Sequence, residues 1–397
     1  MGNYQFSLAE EEEEECSCCH NVVLEGDLSL EKVASCLREG KCKNVVVMVG
    51  AGISVAAGIP DFRSPNSGMY ISWEHLRLAF SAYRFNKCNI HLAFFHLIFL
   101  FCLQTGVYAT LRKKYNLSDP RDLFTLSCFK EDPKPFYKLV GELFFPSSSD
   151  ERGTSYRYEP TTVHRFLRLL HEKGVLLRVY TQNIDGLEEA AGLPRYAVVQ
   201  AHGSFRTASC VACRKPYPQP ERVLQLIQHQ QRRWQVNLQP DSCSSCSASS
   251  SAAADKSTTA CQELVIPTCE ACSGFVKPDV VFFGEPLPAH VFTQSKADLS
   301  RCDLLIIIGT SLQVQPFSQL VGMVSESTPR LLLNQTQVHM EPSSLVERGV
   351  RSVDDLVFGE RRPNHSTKRD VICLGDCQTL VKRFCELLGW GLPHTSG

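Results

Sequence analysis

"VVVMVGAGISVAAGIPDFRS", residues 45–64, passes from an unbroken apolar run into glycine, alanine and serine, and closes on Asp61, Phe62 and Arg63. A short β-branched run bounded by glycine reads as a strand buried on both faces of a parallel sheet. Gly50, Ala51 and Gly52, with Ile53 and Ser54 behind them, then permit a tight turn. At such a turn a backbone can approach a pyrophosphate, with a helix N-terminus to stabilise it. The spacing to Gly58 exceeds the usual dinucleotide fingerprint, so the elbow alone leaves a plain turn open. Asp61, Phe62 and Arg63 argue for a ligand, because an acid, a ring and a fixed cation suit a flat heterocycle beside a phosphate or ribose.

Outward from this stretch the same pattern repeats. A helix is expected over Leu28–Leu37, leading into a strand over Asn44–Val49. The apolar run Leu176–Tyr180 ends at Gln182, Asn183, Ile184 and Asp185; Leu304–Ile308 ends at Gly309, Thr310 and Ser311; Leu331–Leu333 ends at Asn334. Helical stretches lie between the runs, and an amphipathic helix around Leu380–Trp390 closes the chain. Strands alternating with helices give an α/β, Rossmann-like doubly wound parallel sheet. Ligands of such sheets bind outside the carboxyl ends of the strands, so the four tips should meet around one crevice.

The chain has 397 residues, 43% hydrophobic and 21% charged, with a formal net charge of −1. That balance provides for a sizeable core and excludes a global basic field, so no direct nucleic-acid partner is expected. The apolar run Ile90–Leu103 is too short for a membrane span and contains His91 and His96, so it reads as a buried or interfacial helix. It lies in a block, 71–107, whose Phe, Leu and His content marks an atypical insertion. Residues 1–27 include the run Glu10–Glu15 and read as a disordered acidic tail, unlike an Arg-rich presequence, which favours cytoplasm or nucleus. Residues 391–397 read as a second tail. Residues 219–266 contain "DSCSSCSASSSAAADKSTT", a low-complexity tract unable to bury enough apolar surface to fold alone.

Nineteen cysteines scattered through a long strand–helix pattern suggest reduced thiols and a metal site rather than a disulfide scaffold. Cys210 and Cys213 form one Cys-x-x-Cys pair, and Cys269 and Cys272 another. Four thiolates so paired would close a tetrahedral structural zinc site in a small module over about 203–278, with unligated or redox-active cysteines as the alternative. A third pair, Cys243 and Cys246, and the lone Cys261 complicate the assignment, but the low-complexity surroundings of Cys243 place it in the insertion, while Cys269 and Cys272 abut "GFVKPDVVFFGE". Among twelve histidines His202, in "VVQAHGSF", is the best general-base candidate, against an ordinary structural histidine.

Taken together, "GAGISVAAGIPDFRS", "YTQNIDGLE", "AHGSF", the two cysteine pairs, "VKPDVVFFGE", "GTSLQVQPF", "LLLN" and "LGDC" resemble the sirtuins, NAD-dependent protein lysine deacylases. The resemblance covers about residues 28–70 and 108–390. "YTQNIDGLE" and "VVFFGEPLP" look most like the mitochondrial-type class I member, and "GTSLQVQPF" more like the cytoplasmic tubulin-deacetylating one, so mitochondria are the alternative compartment. It implies one catalytic domain over 28–390, NAD as cofactor and acetylated proteins as substrates. By this resemblance Gly50, Ala51, Gly52, Ile53 and Ser54 cradle the pyrophosphate, while Asp61, Phe62 and Arg63 lie on the cofactor loop. Phe62 would shield the nicotinamide ribose. Gln182 would contact the ribose; Asn183, Ile184 and Asp185 would shape the nicotinamide pocket. Gly309, Thr310, Ser311, Asn334, Gln335, Thr336 and Cys377 fall where the family holds the adenosine half. His202 is the implied base, with Asn183 beside it. The acetyl-lysine peptide would add as a strand along Val281, Phe283, Gly284 and Glu285. The products would be lysine, nicotinamide and acetyl-ADP-ribose. Other acyl chains, ADP-ribosyl transfer to protein and a non-catalytic zinc-ribbon module are the alternatives.

Overall fold

The run Val45–Val49 forms strand β1, fully buried and central to the fold. The structure is a computed structural model that describes residues 29–59, 120–144, 158–227, 266–338 and 369–393. Asp61, Phe62 and Arg63, the block 71–107, the acidic segment, and Cys243, Cys246 and Cys261 lie outside the described residues.

Around β1 the sheet contains β2 (Leu176–Thr181), β3 (Val198–Gln200), β6 (Leu304–Ile308), β7 (Arg330–Asn334) and β8 (Asp370–Leu374). A separate antiparallel pair joins β4 (Gly203–Cys210) to β5 (Val276–Val280). The six-stranded sheet runs β3-β2-β1-β6-β7-β8 with every pairing parallel. This is the Rossmann-like doubly wound order, its direction reversing between β1 and β6.

Alternation of side chains gives each central strand two cores. Val45, Val47 and Val49 join one cluster with Leu304, Ile306, Ile308, Leu331 and Leu333. The helices Leu30–Arg38, Thr162–Glu172 and Cys377–Leu388 cover that face. Val46, Met48, Leu305, Ile307 and Leu332 point the other way, against Val291 and Leu299 of the helix Ala289–Leu299 and the 3₁₀ turns Phe317–Met323. Burying one such side chain contributes about 1.5–3 kcal/mol, so the two-sided apolar run decides the topology. No helix among the described residues is long and apolar enough to cross a membrane.

The ends of elements have local causes. The first helix starts at Leu30 because Ser29 caps it, its hydroxyl accepting from Lys32 N. The first strand starts at Val45 because the Asn44 amide is held by the Asp303 carboxylate ahead of β6. Buried Arg330 opens β7 and forks onto Asp370 of β8 at 2.6 and 2.7 Å.

A third cluster lies apart from the sheet. Phe124, Phe129, Phe136 and Tyr137 pack with Phe282, Val276, Ala208 and the zinc-pair cysteines Cys210 and Cys269. The rings meet edge to face, Phe136 lying 5.1 Å from Phe282 and 5.4 Å from Phe129. Tyr137 donates to Val276 O at 2.6 Å. Residues 120–144, which the sequence did not assign to the zinc-binding module, thus share its core.

Candidate active site

The four strand tips expected to converge do so. Strands β2, β1, β6 and β7 are neighbours in the sheet, so their carboxyl ends stand side by side. The β1 and β6 tips touch through backbone. Gly52 N donates to Gly309 O at 2.9 Å, and a Cβ on Gly52 would stand 2.8 Å from that oxygen. These glycines are therefore required first by the joint between two strand tips. The elbow's own amides are largely committed: Gly50 N to Ile308 O, Ile53 N to Gly50 O and Ser54 N to Ala51 O. Two short 3₁₀ turns, Ala51–Ile53 and Val55–Ala57, follow β1 in place of the expected α-helix start. The elbow offers a ligand close approach more than a helix N-terminus.

Polar side chains from the β1 and β2 tips then form a chain. Asn183 Nδ2 donates to Gly50 O and to Ser54 Oγ, each at 3.2 Å. Ser54 Oγ donates to Asp185 Oδ2 at 2.7 Å, and Leu187 N donates to Asp185 Oδ1 at 3.0 Å. Asn183 and Ser54 are buried. On the β6 and β7 side, Asn334 Nδ2 donates to Thr310 O and Thr336 O. Cys377 Sγ donates to Gly52 O at 3.5 Å. Ser311 and Ile184 are half-buried, and Gln335 and Thr336 are exposed at the rim. Gln182 Oε1 lies 3.5 Å from Thr310 Oγ1, while its buried Nε2 has no partner among the described residues. A buried amide donor left over between two strand tips fits a polar ligand such as a nucleotide ribose.

His202 stands beside this crevice. Its Nδ1 pairs with Gln182 O at 2.9 Å, which puts the hydrogen on Nδ1 and leaves the Nε2 lone pair as an acceptor. Burial lowers its pKa below 6.5, partly opposed by the bond to Gln182 O, so the ring is neutral at pH 7. The Phe317 ring lies 6.2 Å away. His202 O accepts from Val281 N at 2.9 Å, fixing the histidine to the segment after β5. Gly203 makes this possible, with φ of 73°, and a Cβ there would overlap the Asp279 carbonyl oxygen. Gly203→Ala is therefore expected to destabilise the fold by more than about 2 kcal/mol. It should also abolish the activity proposed below, as a urea titration and a turnover assay on the same sample would read.

The cysteine pairs converge as well. Sγ of Cys210 lies 3.4 Å from that of Cys272, and Cys213 lies 3.7 Å from Cys269; all four fall within 4.8 Å of one another. Thiolates at about 2.3 Å from one zinc stand close to such separations. Each pair ends in a left-handed residue, Arg214 at φ 61° and Ser273 at φ 58°, so the two knuckles repeat one backbone shape.

At the expected peptide strand, Phe283 is 51% exposed and bridges to Thr125, its amide donating to Phe124 O. Gly284 takes a left-handed φ of 85°. Glu285 turns inward: its Oε2 accepts from Phe282 N at 2.8 Å and from Lys277 Nζ at 3.1 Å. Lys277 is buried, also donating to Val280 O. Glu285 therefore staples the turn that presents Phe283. Sequence reasoning missed Lys277, whose role depends on a partner that only the folded turn brings to it.

A model of the Sir2 family matches residues 50–99 and 97–316, the two pieces meeting inside the block 71–107. The chain is 38% identical over 368 residues to the NAD-dependent protein deacetylase sirtuin-2 of Danio rerio, covering 92% of this chain and 73% of that protein. It is 37% identical over 366 residues to the NAD-dependent protein deacetylase sirtuin-3 of Mus musculus, covering 92% of this chain and 78% of that one. Against the NAD-dependent deacetylase sir2A of Dictyostelium discoideum it is 37% identical over 97% of its length but spans only 55% of the relative. Matched through most of its length by the family model and by these relatives, the chain belongs to the Sir2 family, that of the sirtuins.

Proposed function

We propose that this chain removes acetyl groups from protein lysines at the expense of NAD, releasing nicotinamide and passing the acetyl group to ADP-ribose. The carrying observation is His202, held with Nε2 free by the Gln182 carbonyl, next to the Asn183–Ser54–Asp185 chain. The relatives named as NAD-dependent protein deacetylases support the same reading.

NAD, when bound, supplies a ribose carbon with nicotinamide as its leaving group. Gly50 to Ser54 would pass close to the pyrophosphate, and Gln182 Nε2 would donate to the ribose. Asn183, Ile184 and Asp185 would hold nicotinamide, while Thr310, Ser311, Asn334 and Cys377 would border the adenosine half. His202 Nε2 would take a proton from a ribose hydroxyl. Asp61, Phe62 and Arg63, outside the described residues, would complete the cover over the cofactor. Val281, Phe283 and Gly284 would border the acetyl-lysine peptide, with Glu285 shaping their turn. One structural zinc on Cys210, Cys213, Cys269 and Cys272 would leave no position for water, so its part is architectural.

Nicotinamide release is expected to depend on acetyl-peptide, with acetyl-ADP-ribose identified by mass spectrometry. ADP-ribosylated protein in its place would identify a transferase. A chain that bound zinc but neither bound nor cleaved NAD would be an interaction module.

A further inference from the structure

Behind the Asn183–Ser54–Asp185 chain lies a second cluster that shares Asp185 with it and adds two residues, His164 and Glu188, with no part in the chemistry above. His164 of the helix Thr162–Glu172, with Asp185 and Glu188 after β2, brings one ligand atom per residue within 4.8 Å of the others. His164 and Glu188 are both 0% exposed. His164 Nε2 and both Glu188 carboxylate oxygens make no well-aligned hydrogen bond among the described residues, the Thr181 hydroxyl being the donor nearest to Glu188. Thr161 N and the Thr161 hydroxyl both pair with His164 Nδ1, at 3.2 and 2.8 Å, so Nε2 is the ring nitrogen left over. A buried polar atom left unpaired is costly, and several together call for a shared partner. A buried water is the usual shared partner of such atoms, and one water can reach residues whose polar atoms lie within 4.8 Å of one another.

We propose that His164, Asp185 and Glu188 hold one buried water, and that Glu188 is a positioning residue. As a neutral carboxylic acid it leaves Asp185 charged and bonded to Ser54. This rests on the reading of Asn183, Ser54 and Asp185 as the nicotinamide pocket. Burial, and then the Asp185 charge, push Glu188 up to about 8. Burial also raises Asp185, opposed by its bonds from Leu187 N and Ser54 Oγ. Burial lowers His164 to about 3, so it adds no charge. The charged groups acting on Glu188 are Asp185 and Glu189 on its own segment. His164 faces it from the neighbouring helix, and Thr181 of β2 is uncharged. Ionising Glu188 would set a second carboxylate beside Asp185 and break the chain to Ser54.

The test is calorimetric binding of nicotinamide and NAD to the full chain, wild type against Glu188→Gln, with urea unfolding across pH. Wild-type affinity should fall about tenfold from roughly pH 7 to roughly pH 9.5, and the Gln variant should change less than about twofold. Wild-type stability should also fall as pH rises from 4.5 to about 8, because the folded pKa lies above the unfolded one, and Glu188→Gln should remove this slope. The same alkaline weakening in both proteins would overturn the proposal. If wild type bound neither nicotinamide nor NAD, the deacetylase reading would fail, and the urea slope would still decide the cluster. Should the Gln variant not fold, a high-resolution wild-type structure decides: water on His164 Nε2 and Glu188 supports the proposal, and a dry cluster overturns it.

Discussion

His202→Ala is expected to lower the deacetylation rate by about 10²–10⁴-fold, the usual loss when a positioned general base is removed. The ring's orientation makes the expectation specific. Gln182 O holds Nδ1, so the only acceptor left on the imidazole is Nε2. Burial keeps the ring neutral at pH 7 by lowering its pKa from 6.5. The acid limb of the rate should therefore lie below 6.5. The same depression means that stability from the neutral ring is present above 6.5 and is lost as pH falls through the lower folded value. Exchange of labelled nicotinamide into NAD precedes the base step and should survive the substitution better than deacetylation. Equal loss of both reactions would remove His202 from the base role.

Cys269→Ser, or prolonged chelation, should release the zinc and unfold the module around it. Cys269 is 8% exposed and part of the same apolar cluster as Phe129, Phe136 and Phe282, so the ligand is also a core residue. Structural zinc contributes about 10–16 kcal/mol to finger peptides, which exceeds or matches the whole stability of many domains. The expected readings are a zinc content falling from one per chain to none, a lower melting temperature and exposed aromatic surface. Cys243→Ser should keep its zinc. Retention by Cys269→Ser with loss by Cys243→Ser would reassign the second pair.

The strand tips were legible because two-sided burial writes continuous apolar runs such as Leu304–Ile308, and the turn that follows needs small residues. The cysteine pairs were legible for a similar reason, since a metal fixes local spacing. Residues 120–144 were not: their apolar positions answer to Phe282 and Val276, far along the chain, and only packing reveals that. The joint that Gly52 makes was not legible, because its contact is Gly309, a residue from a different strand tip. His164 and Glu188 carried no signal, since a buried histidine and a buried acid look in sequence like any others.

The shared aromatic core also governs how the chain can be divided. Residues 120–144 leave the sheet between β1 and β2, and β4 with β5 leave it between β3 and β6, yet both excursions end in one cluster. No single stretch of the gene therefore encodes the smaller lobe. A fragment cut to the cysteine pairs alone, such as 203–278, would lack Phe124, Phe129, Phe136 and Phe282 and leave bare the apolar surface they cover. A dissected version would need both excursions spliced together or co-expressed as complementing pieces, and recombination between relatives would have to exchange the two as a matched set.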